Sequence, residues 1–138
     1  MSYASEVLAD SPVLFLRLEE ASGTSCADSS TSAFTGTIQG SATRNVAGAA
    51  GTGVGPMLRG TTADYITVPD NAALDITGNV TYECWVKLSA YPDYQTLMGK
   101  GKASGSAGYV LRMNPTGHLE FLAADTALFG ASSGTVPD

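Results

Sequence analysis

Charge, histidine, cysteine and long apolar runs are all scarce in this chain. Only 14% of its 138 residues are charged, and seven Lys/Arg against 13 Asp/Glu leave a net charge of −6 and a pI near 4.5. So few basic groups exclude nucleic acid and an anionic membrane surface as partners, because phosphate binding is driven by clustered Lys and Arg. No apolar run approaches the ~20 residues that cross a bilayer, which excludes insertion as a transmembrane helix. The first ten residues carry Glu6 and Asp10 and no basic group, so they do not read as a signal peptide. The two cysteines do not make a disulfide framework. Cys26 falls in a Ser/Thr-rich loop and reads as incidental, and Cys84 falls on the inner face of a predicted strand and reads as a buried thiol.

What is present is 43% apolar residues, too many for disorder, in a chain long enough for a real core. Residues 1–138 read as a single globular domain. Gly, Ser, Thr and Ala are plentiful, and a surface that is polar without being highly charged suits an extracellular or virion β-protein. The clearest pattern lies at 80–88, where Val80, Tyr82, Cys84, Val86 and Leu88 alternate with Thr81, Glu83, Trp85 and Lys87, which predicts a strand at the centre of the fold. Before it, 65–68 predicts a shorter strand stopped by Pro69-Asp70-Asn71, since Pro lacks a ladder donor and Asp/Asn side chains bond their own backbone in turns.

In chain order, 3–8 is a short helical turn or an edge strand, 13–18 an interior strand closed by Glu19 and Glu20, 21–33 a loop, and 34–39 another strand. Residues 40–56 read as loop and weak strand, because Gly costs ~1 kcal/mol against Ala in a helix interior. Met57-Leu58-Arg59 begins a strand, 90–94 is a turn, 95–100 is strand-like and 101–108 is a flexible connection. Residues 109–113 and 118–122 form a hairpin about Asn114-Pro115-Thr116-Gly117, and 127–129 start one more strand. Many short strands between Gly/Pro/Asn turns predict an all-β fold, an antiparallel β-sandwich or jelly roll, with no helix longer than two turns.

Five blocks carry a family resemblance: Val7-Leu8-Ala9-Asp10-Ser11-Pro12, Leu16-Arg17-Leu18-Glu19-Glu20-Ala21-Ser22-Gly23-Thr24, Ala27-Asp28-Ser29-Ser30, Tyr65-Ile66-Thr67-Val68-Pro69 and Thr81-Tyr82-Glu83-Cys84-Trp85-Val86-Lys87-Leu88. In this order they resemble the blocks of laminin-G-like, concanavalin A-like lectin/glucanase domains, especially copies in minor tail proteins and fibres of bacteriophages. Leu16 stands where that family usually has an aromatic. The chain stops at Gly134-Thr135-Val136-Pro137-Asp138, where a Trp-His-His-type block would begin, so the resemblance implies the N-terminal part of a longer protein, with the C-terminal strands missing. It implies a virion location, host-surface polysaccharide and other virion subunits as partners, and a homo-oligomer in the particle.

Candidate chemistry is sparse. A retaining glucanase needs two carboxyl groups ~5 Å apart. Glu19 and Glu20 would point to opposite faces of a strand, and Glu83 and Glu120 have no acidic neighbour two residues on, so the expectation is no enzyme. His118, the sole histidine, reads as a solvent-exposed turn residue. Gly99-Lys100-Gly101-Lys102-Ala103-Ser104 mimics part of a phosphate loop without its spacing or its helix, and Asn79-Val80-Thr81 is a formal glycosylation sequon. Some members of the resembled family bind calcium, an ion that hard oxygen ligands on loops suit, and Asp28, Asp64, Asp70, Asn71 and Asp75 are its candidate ligands. Sugar binding asks for an exposed aromatic face with polar groups at its rim. Tyr91, Tyr94 and Tyr109 are the candidates, with Trp85 read as core. The expected function is a non-enzymatic, lectin-like virion protein that recognises host glycans, and the alternative is a purely structural virion module such as a capsid decoration or tail-tip protein.

Overall fold

The computed structural model describes residues 2–44, 46–47, 54–55, 64–88, 90, 93–101, 108–123 and 127–131. The chain divides into two compact units, Met1–Leu74 and Asp75–Asp138.

The first unit opens on helix α1 (Tyr3–Ala9). Ser2 caps it: the Ser5 amide donates to Ser2 Oγ at 3.2 Å and the Ser2 amide donates to Ser5 Oγ at 2.9 Å. That reciprocal box satisfies donors that a helix start otherwise leaves open. Strands β1 (Ser25–Cys26) and β2 (Gly36–Gln39) follow, then the short pair β3 (Val46–Ala47) and β4 (Val54–Gly55), then β5 (Tyr65–Thr67). The order β1-β2-β5 makes one antiparallel sheet, with Cys26 opposite Gly36 and Ile38 opposite Ile66. Cys26, Gly36 and Ile38 share its buried face while Thr37 is exposed, the period-2 alternation of a half-buried sheet. Glycine is needed at 36 because a Cβ there would lie 2.9 Å from Ile66 Cγ2.

Two expectations fail in this unit. Residues 13–18 do not form a strand; their only ladder contact is an isolated bridge from Leu16 to Asp28. Leu18 has φ +58°, a left-handed conformation that reverses an extended run, and the Phe15 amide donates to the Asp28 carboxylate instead of to a neighbouring strand. Glu19 and Glu20 therefore lie on irregular backbone, not on opposite faces of a strand. The cysteines are also reversed: Cys26 is 0% exposed, facing Gly36, whereas Cys84 is exposed. Both are free thiols. Burial, and then the charges of Glu20 and Asp28, push the Cys26 thiol up to about 11, so it stays protonated and inert at neutral pH.

The second unit is built on a four-stranded antiparallel sheet, β6 (Gln95–Lys100), β7 (Tyr109–Met113), β8 (Leu119–Ala123) and β9 (Ala127–Ala131), in chain order. The hairpin turn follows from its residues. The Gly117 amide donates to the Asn114 carbonyl, Gly117 takes φ +79°, and Asn114 Oδ1 accepts from the amides of Thr116 and His118, each at 3.0 Å. Gly117 is the left-handed residue of a G1 bulge. It shifts the second strand to begin at Leu119, one residue later than the spacing alone suggests, and sets Met113 opposite Leu119 and Arg112 opposite Glu120.

The strand expected at 80–88 is absent: none of these residues belongs to a ladder, and Trp85, expected in the core, is 67% exposed. The Tyr82 ring packs on those of Tyr109 and Phe121, with centroids 5.3 and 5.8 Å away. The register puts Tyr109 and Phe121 on one face of the sheet, so Tyr82 pins its segment over that face, away from the ladder at either edge. The strand expected at Met57-Leu58-Arg59 lies outside the described residues. With antiparallel sheets and little helix among the described residues, the fold class is all-β, as an antiparallel β-sandwich requires.

Candidate functional site

The face of the sheet opposite Tyr82 carries an ordered polar cluster. Along β6 to β8, residues opposite one another project to the same side, which places Thr96, Arg112 and Glu120 together. Arg112 Nε donates to Glu120 Oε2 at 2.7 Å, and Asn114 Nδ2 donates to Glu120 Oε1 at 3.0 Å. Burial pushes the Glu120 carboxyl up, but the bonds from Asn114 and Arg112 and the Arg112 charge outweigh it and hold the carboxyl below its ordinary value. Thr116 Oγ1 donates to Asn114 Oδ1 at 2.7 Å and lies 2.8 Å from His118 Nδ1. His118 is thus a half-buried member of the turn network, not the solvent-exposed residue expected.

Tyr94, just before β6, completes the arrangement. The Arg112 guanidinium carbon sits 4.1 Å from its ring centroid while Tyr94 remains 52% exposed. The backbone is fixed beside it, with the Tyr94 amide donating to Asp93 Oδ1 at 2.7 Å. One ring face is covered by a cation that Glu120 holds in place, and much of the rest of the ring is open. Such a ring is already ordered, so stacking a ligand on it costs little further side-chain entropy.

The other expected aromatics do not join it. Tyr109 projects to the opposite sheet face and is half-buried against Tyr82, and Tyr91 lies outside the described residues. Sequence reasoning missed Arg112 and Asn114, and weighed Glu120 only as a catalytic acid. The signal that finds them is Gly117, because its bulge moves the hairpin register by one residue and so brings Arg112 opposite Glu120.

Four of the five calcium candidates, Asp28, Asp64, Asn71 and Asp75, hold protein donors. Asp28 Oδ1 accepts from the amides of Phe15 and Ser30, and Oδ2 from Ser30 Oγ and the Phe34 amide, at 2.7–2.9 Å. Asp64 Oδ1 accepts from the Ser41 amide, Asn71 Oδ1 caps the 3-10 turn Ala72–Leu74 through the Ala73 amide, and Asp75 pairs with Lys100. Asp70 lies beside Pro69 in the exposed turn after β5. Among the described residues no three His, Cys, Asp or Glu side chains come together as a metal site.

A family model described as the concanavalin A-like lectin/glucanases superfamily matches residues 59–138. The chain belongs to this superfamily. The match takes in β5 to β9, the 80–88 segment and the whole Tyr94–Arg112–Glu120 cluster, and it begins after the blocks between Val7 and Ser30. No curated protein and no solved structure matches the chain. Within this lectin/glucanase domain, Glu120 is held as a carboxylate, which is the opposite of the raised pKa that a glycosidase general acid needs.

Proposed function

We propose that this lectin/glucanase-superfamily domain is a non-enzymatic recognition module that binds host-surface polysaccharide at Tyr94, as part of a bacteriophage virion. The observation that carries the glycan reading is the Tyr94 ring, braced on one side by Arg112 and otherwise open. Pyranose CH groups stack on such a ring, and the exposed Thr96 on the same sheet face and the neighbouring guanidinium supply polar groups at the rim. A reading without catalysis is supported by how two of the acids are used: Glu19 pairs with Arg17, and Glu120 accepts from Arg112 and Asn114. The virion setting rests on the likeness of the chain's blocks to phage tail and fibre domains.

The architectural reading, a structural virion module docked on other subunits, is favoured by one observation, the exposed Trp85 and Val86 side by side on a segment outside the sheet. Binding to purified host cell-wall polysaccharide separates the two. The glycan reading expects saturable binding that falls at least tenfold in Tyr94→Ala, the loss of a stacking contact worth ~1.4 kcal/mol or more. Chelator should leave it unchanged, because the loop carboxylates already have protein partners. Absence of saturable binding would give the architectural role the stronger claim.

A further inference from the structure

The charges around Tyr94 are few. Between Lys87 and Lys100 the sequence has a single charged residue, Asp93, and from Tyr109 to Ala123 it has Arg112 and Glu120, with His118 in the turn between them. Arg112 and Glu120 are joined at 2.7 Å, and Asn114 holds the second carboxylate oxygen. Toward a ligand on the Tyr94 ring this pair therefore presents hydrogen-bonding groups and no net charge.

Asp93 is not balanced in this way. It is exposed, and among the described residues no Lys, Arg or His forms an ion pair with it. Its Oδ1 accepts from the Tyr94 amide at 2.7 Å, which fixes the carboxylate beside the ring it precedes. Lys100 is no counter-charge: it pairs with Asp75 and ends β6 ~17 Å from the start of that strand, about twice the ~8 Å over which exposed charges act at physiological salt. An anionic ligand at Tyr94 would thus meet an uncompensated like charge, in a chain whose net charge of −6 has the same sign.

We infer that Asp93 makes the Tyr94 site selective for uncharged polysaccharide and turns away sugars bearing a carboxylate or phosphate, an inference that rests on the glycan reading of Tyr94. Two exposed like charges ~4–5 Å apart in water repel strongly enough to lower an affinity about fivefold.

The test uses fragments of one host cell-wall polysaccharide in two forms. One is made uncharged by reducing its carboxyl groups to alcohols and removing its phosphates; the other is then oxidised at its primary hydroxyls to carboxylates. Both are titrated calorimetrically onto the full chain. At low salt the uncharged form should bind about fivefold more tightly, and at about 0.5 M salt most of that difference should vanish, because exposed charges are screened. In D93N, whose amide oxygen can still accept from the Tyr94 amide, the two affinities should agree within about twofold at low salt. Their ratio is read within each protein, so a general weakening by the substitution cancels, and a steric clash with the added carboxylates would respond neither to salt nor to D93N. Equal or tighter binding of the oxidised form by wild type, a difference that salt leaves intact, or a D93N ratio equal to that of wild type would each overturn selection by Asp93 and leave the glycan reading standing. Failure of both forms to bind would overturn the glycan reading, and this inference with it.

Discussion

Replacing Asp28 by Ala is expected to destabilise the chain by about 3 kcal/mol, measured as the fall in unfolding free energy in denaturant. The carboxylate accepts four hydrogen bonds, from the amides of Phe15, Ser30 and Phe34 and from Ser30 Oγ, so it ties together residues 15 to 34 of the first unit. Ser30 is itself buried. Removal leaves several part-buried donors without an acceptor, and each such loss costs ~1–3 kcal/mol before water compensates. The same group should set the acid sensitivity of the first unit. Burial raises its pKa, but the hydrogen bonds from Phe15, Ser30 and Phe34 outweigh burial and bring it below the ordinary 3.8. The unfolded chain therefore takes up the proton first as pH falls. The Asp28 contribution is whole above pH ~4 and is lost as pH drops through the folded-state pKa. Asp28→Ala should show a flatter stability profile in that acid range than wild type, and an unchanged slope there would contradict the role given to this carboxylate.

Met113→Ala should cost about 3 kcal/mol, within the ~2–5 kcal/mol typical of truncating a fully buried long side chain. Met113 is 0% exposed and ends β7 where the sheet meets the hairpin turn, opposite Gln95 on one neighbour and Leu119 on the other. Truncation removes transfer energy and leaves a cavity that the paired strands cannot close without giving up their register. Met113→Leu, which conserves volume, should lose less than about 1.5 kcal/mol by the same denaturant measurement. A Met113→Ala variant as stable as Met113→Leu would mean that this side of the sheet is not a packed core.

The parts of the fold that were legible in the sequence were those where local chemistry decides. Gln95 to Lys100 and Tyr109 to Met113 appear as strands over the ranges their β-rich runs suggest, and β5 stops before Pro69 for want of a donor. The Asn114-to-Gly117 turn is where its residues put it. What could not be read was set by long-range partners. Residues 13–18 have strand composition, but a carboxylate 13 positions away claims the Phe15 amide and Leu18 turns left-handed. Residues 80–88 have the cleanest alternation in the chain, yet Tyr82 is captured by rings on the face of a sheet, so the segment lies outside every ladder. Alternation reports which side chains want to be buried; it does not report which backbone will accept the strand. The cysteines were reversed for the same reason, since the inner place of Cys26 depends on Gly36, ten residues on.

For the candidate site, Tyr94 was legible as an aromatic beside an Asp turn. Its brace was not, because Arg112 reaches it only through a register that one left-handed glycine shifts. The charge at Glu120 was legible as a residue but its partners were not: its two oxygens hold Arg112 and Asn114, and through Arg112 it steadies the cation on the Tyr94 ring.

The central claim is that glycan is bound at Tyr94 on the sheet face braced by Arg112 and Glu120. The most direct test is a backbone amide NMR titration of the full chain with a soluble fragment of host cell-wall polysaccharide. Shifts are expected to cluster at Tyr94, Gln95, Thr96, Arg112 and Glu120, to saturate, and to vanish in Tyr94→Ala, with little change in the Asp28 network. Saturating shifts centred elsewhere, or shifts that survive Tyr94→Ala, would contradict it.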